Sequence, residues 1–284
     1  MTPLRSSPTT QNGRPSNVQT AECTNTNGRF GAFTSLAILI ALVAGCACGV
    51  APPSTQSWGA QKAQRVTVLQ AGRADAPVLV SMVGGGYRGQ HTGFTPDLAA
   101  RLNGWRVLQV TYTPGSVNSV EAQAVESLDW IAEHARWVTG GQPLSELIVA
   151  GESAGGQAML RAALRDDRFA SNDVVTFAGA LELDIWAATA PPSIRSDIES
   201  LAGCSPVKWA SCGRARDASP STWWKAGGPE VTMIHGTSDG LVSPYVSAVA
   251  EARMPGHQTL RLVPGNHLDP EFTDAAALIL LGMR

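Results

Sequence analysis

From Arg65 onward the chain alternates short apolar runs with longer segments of mixed polarity. The runs 65–70 (RVTVLQ), 77–83 (PVLVSMV), 106–112 (RVLQVTY), 146–151 (ELIVAG), 173–181 (DVVTFAGAL), 230–236 (EVTMIHG) and 258–265 (QTLRLVPG) are rich in β-branched residues. Most lack polar alternation, which predicts strands buried on both faces, as in a parallel sheet. Between them, Val120, Ala124, Leu128 and Ile131 recur at helical spacing within 120–138, and helices are also predicted over 155–167, 246–254 and 274–283. Strands alternating with helices predict an α/β fold with right-handed crossovers and ligands at the carboxyl ends of the strands. Functional residues are therefore expected just after strands.

Residues 185–229 break this rhythm. They hold Trp186, Trp209, Trp223, Trp224, Cys204, Cys212 and five prolines, with no convincing strand. Two readings stand side by side: a cap-like insertion over the strand ends, or a stapled surface excursion whose tryptophans pack a small core of their own. The chain has neither internal repeats nor a second domain with its own core.

The N-terminal part follows other rules. Residues 1–29 are rich in Thr, Asn, Ser, Pro and Gln and cannot bury enough surface to order themselves, so this stretch is expected to be disordered. From Phe30 to Gln61 no residue is charged, and the most apolar segment of the chain lies within 30–50, just after Arg29. A positive flank, an apolar run and then small residues make the order of an export signal. Val43-Ala44-Gly45-Cys46 resembles the lipobox of bacterial lipoproteins, which implies a lipid on Cys46 and a linker over 51–63. An uncleaved membrane anchor and simple secretion are the alternatives. Each of the three places the folded part, 64–284, outside the cytoplasm, where Cys204 and Cys212 are expected to form a disulfide.

Composition narrows the partner. The 284 residues are 44% hydrophobic and 15% charged, with a formal net charge of −2. That length suits one large domain. The near-neutral balance provides no basic surface for nucleic acid, so a small-molecule substrate is expected. None of the five cysteines forms a Cys-x-x-Cys pair, and neither a metal nor a cofactor is expected.

The chemistry centres on 147–160, LIVAGESAGGQAML. Gly-x-Ser-x-Gly alone is weak evidence, but here it follows a predicted strand and opens a predicted helix, the context of a nucleophile elbow. Ser153 is the expected nucleophile. A serine hydroxyl needs a base, and among the five histidines His267, in the loop after the last strand, is best placed to reach across the strand ends. His91, in the first glycine loop, is second. His235 ends a strand and reads as support for the loop that follows it, His134 lies on a helix, and His257 precedes a strand. The base needs an acid to orient it. Asp239 follows the penultimate strand and is favoured over its rival Asp184, while Asp269 is too near His267 in sequence to turn back onto its ring. For the anionic intermediate, the glycines of SMVGGGYRGQ bring backbone N–H groups close without intervening side chains, and Gly85, Gly86 and Ala154 are the expected donors.

VGGGY, GESAGG, HGTSDGLV and GNH, in this order and spacing, resemble the α/β-hydrolase superfamily, specifically bacterial esterases with His-Gly-Gly-Gly and Gly-Asp/Glu-Ser-Ala-Gly-Gly motifs. The resemblance covers about 64–284 and implies acyl transfer from small esters by a Ser-His-Asp triad. HGTSDGLVSP also resembles the acid loop of prolyl-oligopeptidase-like and carbohydrate-ester hydrolases. One position departs: the first histidine of the family motif is Val83 here. GGGYRG also matches a dinucleotide-binding fingerprint, but YRGQHTGF intervenes before any helix and Tyr112 ends the next strand, so that reading fails. A serine peptidase of the same fold and a non-catalytic envelope binding protein stay as alternatives.

Overall fold

A computed structural model of the protein describes residues 54–204, 213–256 and 258–283. The strands are β1 (Thr55–Ser57), β2 (Arg65–Ala71), β3 (Val78–Met82), β4 (Arg106–Thr111), β5 (Leu147–Glu152), β6 (Asp173–Phe177), β7 (Glu230–Gly236) and β8 (Gln258–Val263). They form one sheet in the order β1-β2-β4-β3-β5-β6-β7-β8, antiparallel at β1–β2 and β2–β4 and parallel from there on. Every residue of β3 and β5 is buried, as their unbroken apolar runs require. β8 lies at the sheet edge and exposes Leu262.

The helices are α1 (Phe94–Arg101), α2 (Val117–Glu133), α3 (Ala135–Thr139), α4 (Ser153–Arg165), α5 (Leu183–Thr189), α6 (Pro192–Leu201), α7 (Gly213–Asp217), α8 (Pro244–Arg253) and α9 (Pro270–Gly282). Successive side chains of a strand point to opposite faces. Val78, Val80 and Met82 pack in one core with Val120, Ala124, Leu128 and Ile131 of α2, Met159 of α4 and Val246 of α8. Leu79, Ile148 and Ala150 pack in the other with Leu98 of α1 and Phe272 and Leu280 of α9. In that second core the Phe94 ring lies 5.1 Å from Phe177 and 5.8 Å from Phe272, centroid to centroid. Burying each such side chain contributes roughly 1.5–3 kcal/mol.

Several expectations shift. Part of the expected 51–63 linker joins the sheet: Thr55–Ser57 pairs with β2, and Trp58 is buried with its indole N–H donating to the Thr111 carbonyl at 3.0 Å. The single helix expected over 120–138 is two, broken at His134, whose φ of −108° and ψ of 25° leave the helical region. The run 173–181 stops as a strand at Phe177 because Ala178 takes a φ of 47°. The 185–229 segment carries α6 and α7 and most of α5. Cys204 is disulfide-bonded. Its expected partner Cys212, together with Trp209, Cys46 and the whole leader, lies outside the described residues. Among the described residues no helix is long and apolar enough to cross a membrane.

The sheet order places a switch point where the site is expected. From β3 the chain moves to β4 on one side and then returns to β5 on the other. The carboxyl ends of β3 and β5 therefore sit together, with Met82 in register with Gly151, and the loops leaving them part to form a crevice.

Candidate active site

The turn after β5 is tight. Ser153 has a φ of 49°, one of four non-glycine residues with positive φ among those described, and opens α4 directly. An L-residue in this region costs of order 1 kcal/mol and persists only where its surroundings impose it. Here they do. A Cβ on Gly151 would lie 2.6 Å from the Gly155 carbonyl carbon, and one on Gly155 would lie 2.5 Å from the Met82 carbonyl oxygen. Both flanking glycines thus let backbone pass where a side chain cannot, and the turn lifts Ser153 off the sheet end.

Asp239 and His267 come from the loops after β7 and β8, and the two loops are stitched together. Thr237 N–H donates to the Val263 carbonyl at 2.8 Å and Ser238 N–H to the Gly265 carbonyl at 3.0 Å. The Asn266 side-chain oxygen accepts from Gly240 N–H at 3.1 Å and His267 N–H at 2.7 Å. Across this junction His267 Nδ1 meets Asp239 Oδ2 at 2.7 Å. Asp239 Oδ1 accepts from Leu241 N–H at 2.9 Å and Val242 N–H at 2.8 Å. Burial pushes the Asp239 carboxyl up, but the hydrogen bonds from His235 and His267, the charge on His267 and the Val242 N–H outweigh it and hold the group well below the ordinary carboxylate range.

Three of the rival residues, Asp184, Asp269 and His134, have other partners. Asp184 pairs with Arg253 at 3.1 Å. Asp269 caps α9, accepting from Phe272 N–H at 2.8 Å. His134 stacks on Trp130 with ring centroids 4.1 Å apart. His91 lines the same cavity as Ser153, and His257 lies outside the described residues.

The glycine loop after β3 lies against the Ser153 turn: a Cβ on Gly84 would stand 3.2 Å from Ser153 Cβ. Gly85 has a φ of 124° and Gly86 a φ of 60°, both open only to glycine at low cost. Gly85 and Gly86 line the cavity beside Ser153. Ala154 lies in the first turn of α4, where a backbone N–H has no intrahelical acceptor and the helix dipole is positive. Val83 points into the core and is fully buried, so no imidazole braces this loop from position 83. Glu152, Tyr112 and Gln157 touch it: Glu152 Oε2 accepts from Gly84 N–H at 3.4 Å, Tyr112 donates its hydroxyl to the Gly84 carbonyl at 3.3 Å, and Gln157 Oε1 accepts from the hydroxyl of the loop's own Tyr87 at 3.0 Å.

Sequence reasoning assigned no role in the site to Glu152, Tyr87, Tyr112, Gln157 or Asn266. Only Glu152 carried a signal, as a carboxylate placed between an apolar strand and the serine. It is fully buried, with Thr95 Oγ1 on its other oxygen, and burial raises its pKa to about 8 despite the hydrogen bonds from Thr95 and Gly84. A carboxyl whose folded-state value is raised keeps its proton in the native chain after the unfolded chain has lost it. Its contribution is therefore intact below the ordinary value of 4.5 and is lost as pH rises toward 8. Glu152→Gln, which cannot ionise, is expected to flatten the decline in stability between about pH 5 and pH 8, measured by urea unfolding at several pH values. An unchanged slope would show that Glu152 is ionised in the native protein.

Ser153, His267, Gly85 and Gly86 all face one cavity of about 510 Å³. Arg88 and His91 add to its polar side, and Trp186, Ile194, Ile198, Leu201, Leu241 and Leu268 make the rest of the wall apolar. The Trp186 indole N–H donates to the Leu241 carbonyl at 2.9 Å and so joins α5 to the Asp239 loop. Among the described residues no group of three or more His, Cys, Asp or Glu side chains could hold a metal ion.

The chain matches no protein-family model and no curated protein. Solved structures do resemble it. Esterase B from Lactobacillus rhamnosis is 15% identical with a TM-score of 0.61, the match covering 81% of this chain and 84% of that one. Esterase 2 of Thermogutta terrifontis, in a form phosphonylated by sarin, is 17% identical with a TM-score of 0.62 over 82% of this chain and 96% of the other. A truncated carbohydrate esterase from gut microbiota is 12% identical with a TM-score of 0.62 over 81% and 95%. At such identities the likeness concerns the backbone, and the chain therefore shares the α/β fold of these esterases.

Proposed function

We propose that the protein is a serine hydrolase of the α/β-hydrolase fold, a carboxylesterase acting on small acyl esters without a cofactor. The observation that carries this reading is the shared cavity: Ser153, on a positive-φ turn, opens into the same space as His267, whose other ring nitrogen is 2.7 Å from Asp239.

In this reading Asp239 accepts a hydrogen bond from His267 Nδ1–H, which keeps the ring proton on Nδ1 and leaves Nε2 free to take the Ser153 hydroxyl proton. Ser153 Oγ attacks the ester carbonyl carbon, and the carbonyl oxygen becomes an anion held by the N–H groups of Gly85, Gly86 and Ala154. Each such donor is worth roughly 3 kcal/mol of transition-state stabilisation. The imidazolium returns its proton to the leaving alcohol as the C–O bond breaks, giving an acyl-enzyme. Water, deprotonated by the same nitrogen, then releases the acid. The α5–α6 wall lies on the apolar side of the site and receives the acyl chain, and the three solved structures named above, which are esterases, agree with this chemistry.

The test is hydrolysis of p-nitrophenyl esters from acetyl to palmitoyl by the full chain. A cavity of about 510 Å³ with an apolar wall is expected to favour short acyl groups, with kcat/KM falling beyond the length the wall can cover. Turnover of p-nitroanilide peptides with no ester hydrolysis would overturn the esterase reading in favour of a peptidase, and silence on both would favour a binding protein.

A further inference from the structure

His235, the penultimate residue of β7, is wholly buried between the Asp239 loop and α8. Its Nδ1 lies 2.7 Å from Ser247 Oγ, and its Nε2 lies 2.8 Å from the Val242 carbonyl oxygen and 3.2 Å from Asp239 Oδ2. A carbonyl oxygen only accepts, so the ring proton sits on Nε2 and the Ser247 hydroxyl donates to Nδ1. The same nitrogen is within 3.2 Å of Asp239 Oδ2, the oxygen that His267 Nδ1 reaches at 2.7 Å. Asp239 Oδ1 thus accepts from two backbone N–H groups, and two imidazole nitrogens lie within 3.2 Å of Oδ2.

We propose that His235 is a positioning residue for Asp239: locked as the Nε2–H tautomer by Ser247 and Val242, it donates to Oδ2 and sets how much negative charge Asp239 offers to His267. The inference rests on the assignment of Asp239 and His267 as acid and base. An imidazole is needed at this position because one ring must accept from α8 at one nitrogen and donate to the acid loop at the other. An apolar residue would leave the Ser247 hydroxyl and one side of the carboxylate without partners in a water-free space.

The consequence is a pH effect with a definite sign. A second donor on Oδ2 draws charge away from His267. Without it the His267 imidazolium is better stabilised and persists to higher pH, so the unprotonated form that activates Ser153 appears later. The acidic limb of kcat/KM against pH then moves upward. The other charged or titratable groups around the site have different neighbours. Arg88 and His91 line the cavity from the glycine loop, Asp269 accepts from Asn266 N–H at 2.8 Å, and on α8 Glu251 accepts from Leu260 N–H at 3.0 Å and Arg253 pairs with Glu182 and Asp184.

The test compares full-chain His235→Phe and His235→Gln with the wild type across pH, with folding checked by circular dichroism. Phe has no donor, and its limb is expected to move up by about half a pH unit or more. Any fall in its kcat with KM unchanged comes from lost positioning of Asp239, and the shift of the limb is the deciding readout. Gln places an N–H where Nε2 was and an oxygen able to accept from Ser247, so its limb is expected to stay at the wild-type position. A Phe variant with the wild-type limb overturns the inference, as does a Gln variant that shifts like Phe. Long-range 1H–15N NMR of the wild-type histidines reads the tautomer directly, independent of whether the variants fold. A proton on Nδ1 of His235 overturns the inference, and one on Nε2 throughout the active pH range supports it. A wild-type chain without Ser153-dependent hydrolysis overturns the esterase reading itself, whereas an active wild type with an unmoved Phe limb overturns only the role of His235.

Discussion

Replacing Ser153 by alanine is expected to lower kcat/KM for p-nitrophenyl acetate by at least about 10⁴-fold, because among the cavity residues only Ser153 carries a hydroxyl on the strand-to-helix turn that opens α4. The glycine loop, the Asp239–His267 pair and the apolar wall all stay in place, so a small residual rate over water is expected from binding and oxyanion stabilisation alone. The fold is expected to be unaffected. Alanine carries a Cβ as serine does and bears the same backbone strain at a φ of 49°, so thermal unfolding by circular dichroism should move by no more than about 2 °C. Loss of activity with an unchanged melt assigns the chemistry to the hydroxyl. Retained activity would remove Ser153 from the mechanism.

The second large effect is expected at Asp239. Asp239→Asn should cost about 10⁴-fold in kcat with little change in KM, a loss comparable to that known for the same change in a serine protease triad. The geometry gives the reason. Leu241 and Val242 N–H groups both point at Oδ1, so the asparagine oxygen must occupy that side and its amide nitrogen must replace Oδ2. An N–H then faces His267 Nδ1, which has to accept. The ring proton moves to Nε2, the nitrogen that should take the proton of Ser153. His235 Nε2–H meets the same unfavourable donor. The substitution also alters acid stability. Asp239 is held below the ordinary carboxylate range, so it contributes stability that is present above that range and is lost as pH falls through it toward the depressed folded value. The asparagine chain is expected to lose less stability on acidification, measured by urea unfolding between pH 5 and pH 3. A variant with wild-type kcat would place the acid elsewhere.

Much of the frame was legible in the chain because buried strands announce themselves. The runs at 77–83 and 146–151 are apolar on both faces and become the fully buried β3 and β5. The repeat of Val120, Ala124, Leu128 and Ile131 becomes the core face of α2. What escaped were elements with weak periodicity. β1 is three exposed residues, and only Trp58 behind it is anchored. α1 begins after a glycine loop whose polar residues hide the helical face. The break at His134 depends on local backbone dihedrals, to which a hydrophobic repeat is insensitive.

The same division runs through the candidate site. Gly151, Ser153 and Gly155 form a local motif, since a sharp strand-to-helix turn demands small residues at fixed offsets, and that much is decided within a few residues of chain. The placement of Asp239 and His267 after consecutive strands could also be read from order alone, because strand ends collect on one side of a parallel sheet. The bracing around them could not. Glu152 and Gly84 are 68 residues apart, Tyr87 and Gln157 70, and Asp239 and His267 28. His235 reaches Ser247 only because α8 folds back over β7. Hydrogen bonds between such distant residues have no periodicity to betray them. The sequence by itself determined the succession of strands and helices along the chain, the serine turn and the residue types available for acid and base. Only the tertiary structure decided which groups close around Asp239 and which side chains touch the glycine loop after Val83, because those depend on distances in space that the order of residues along the chain does not contain.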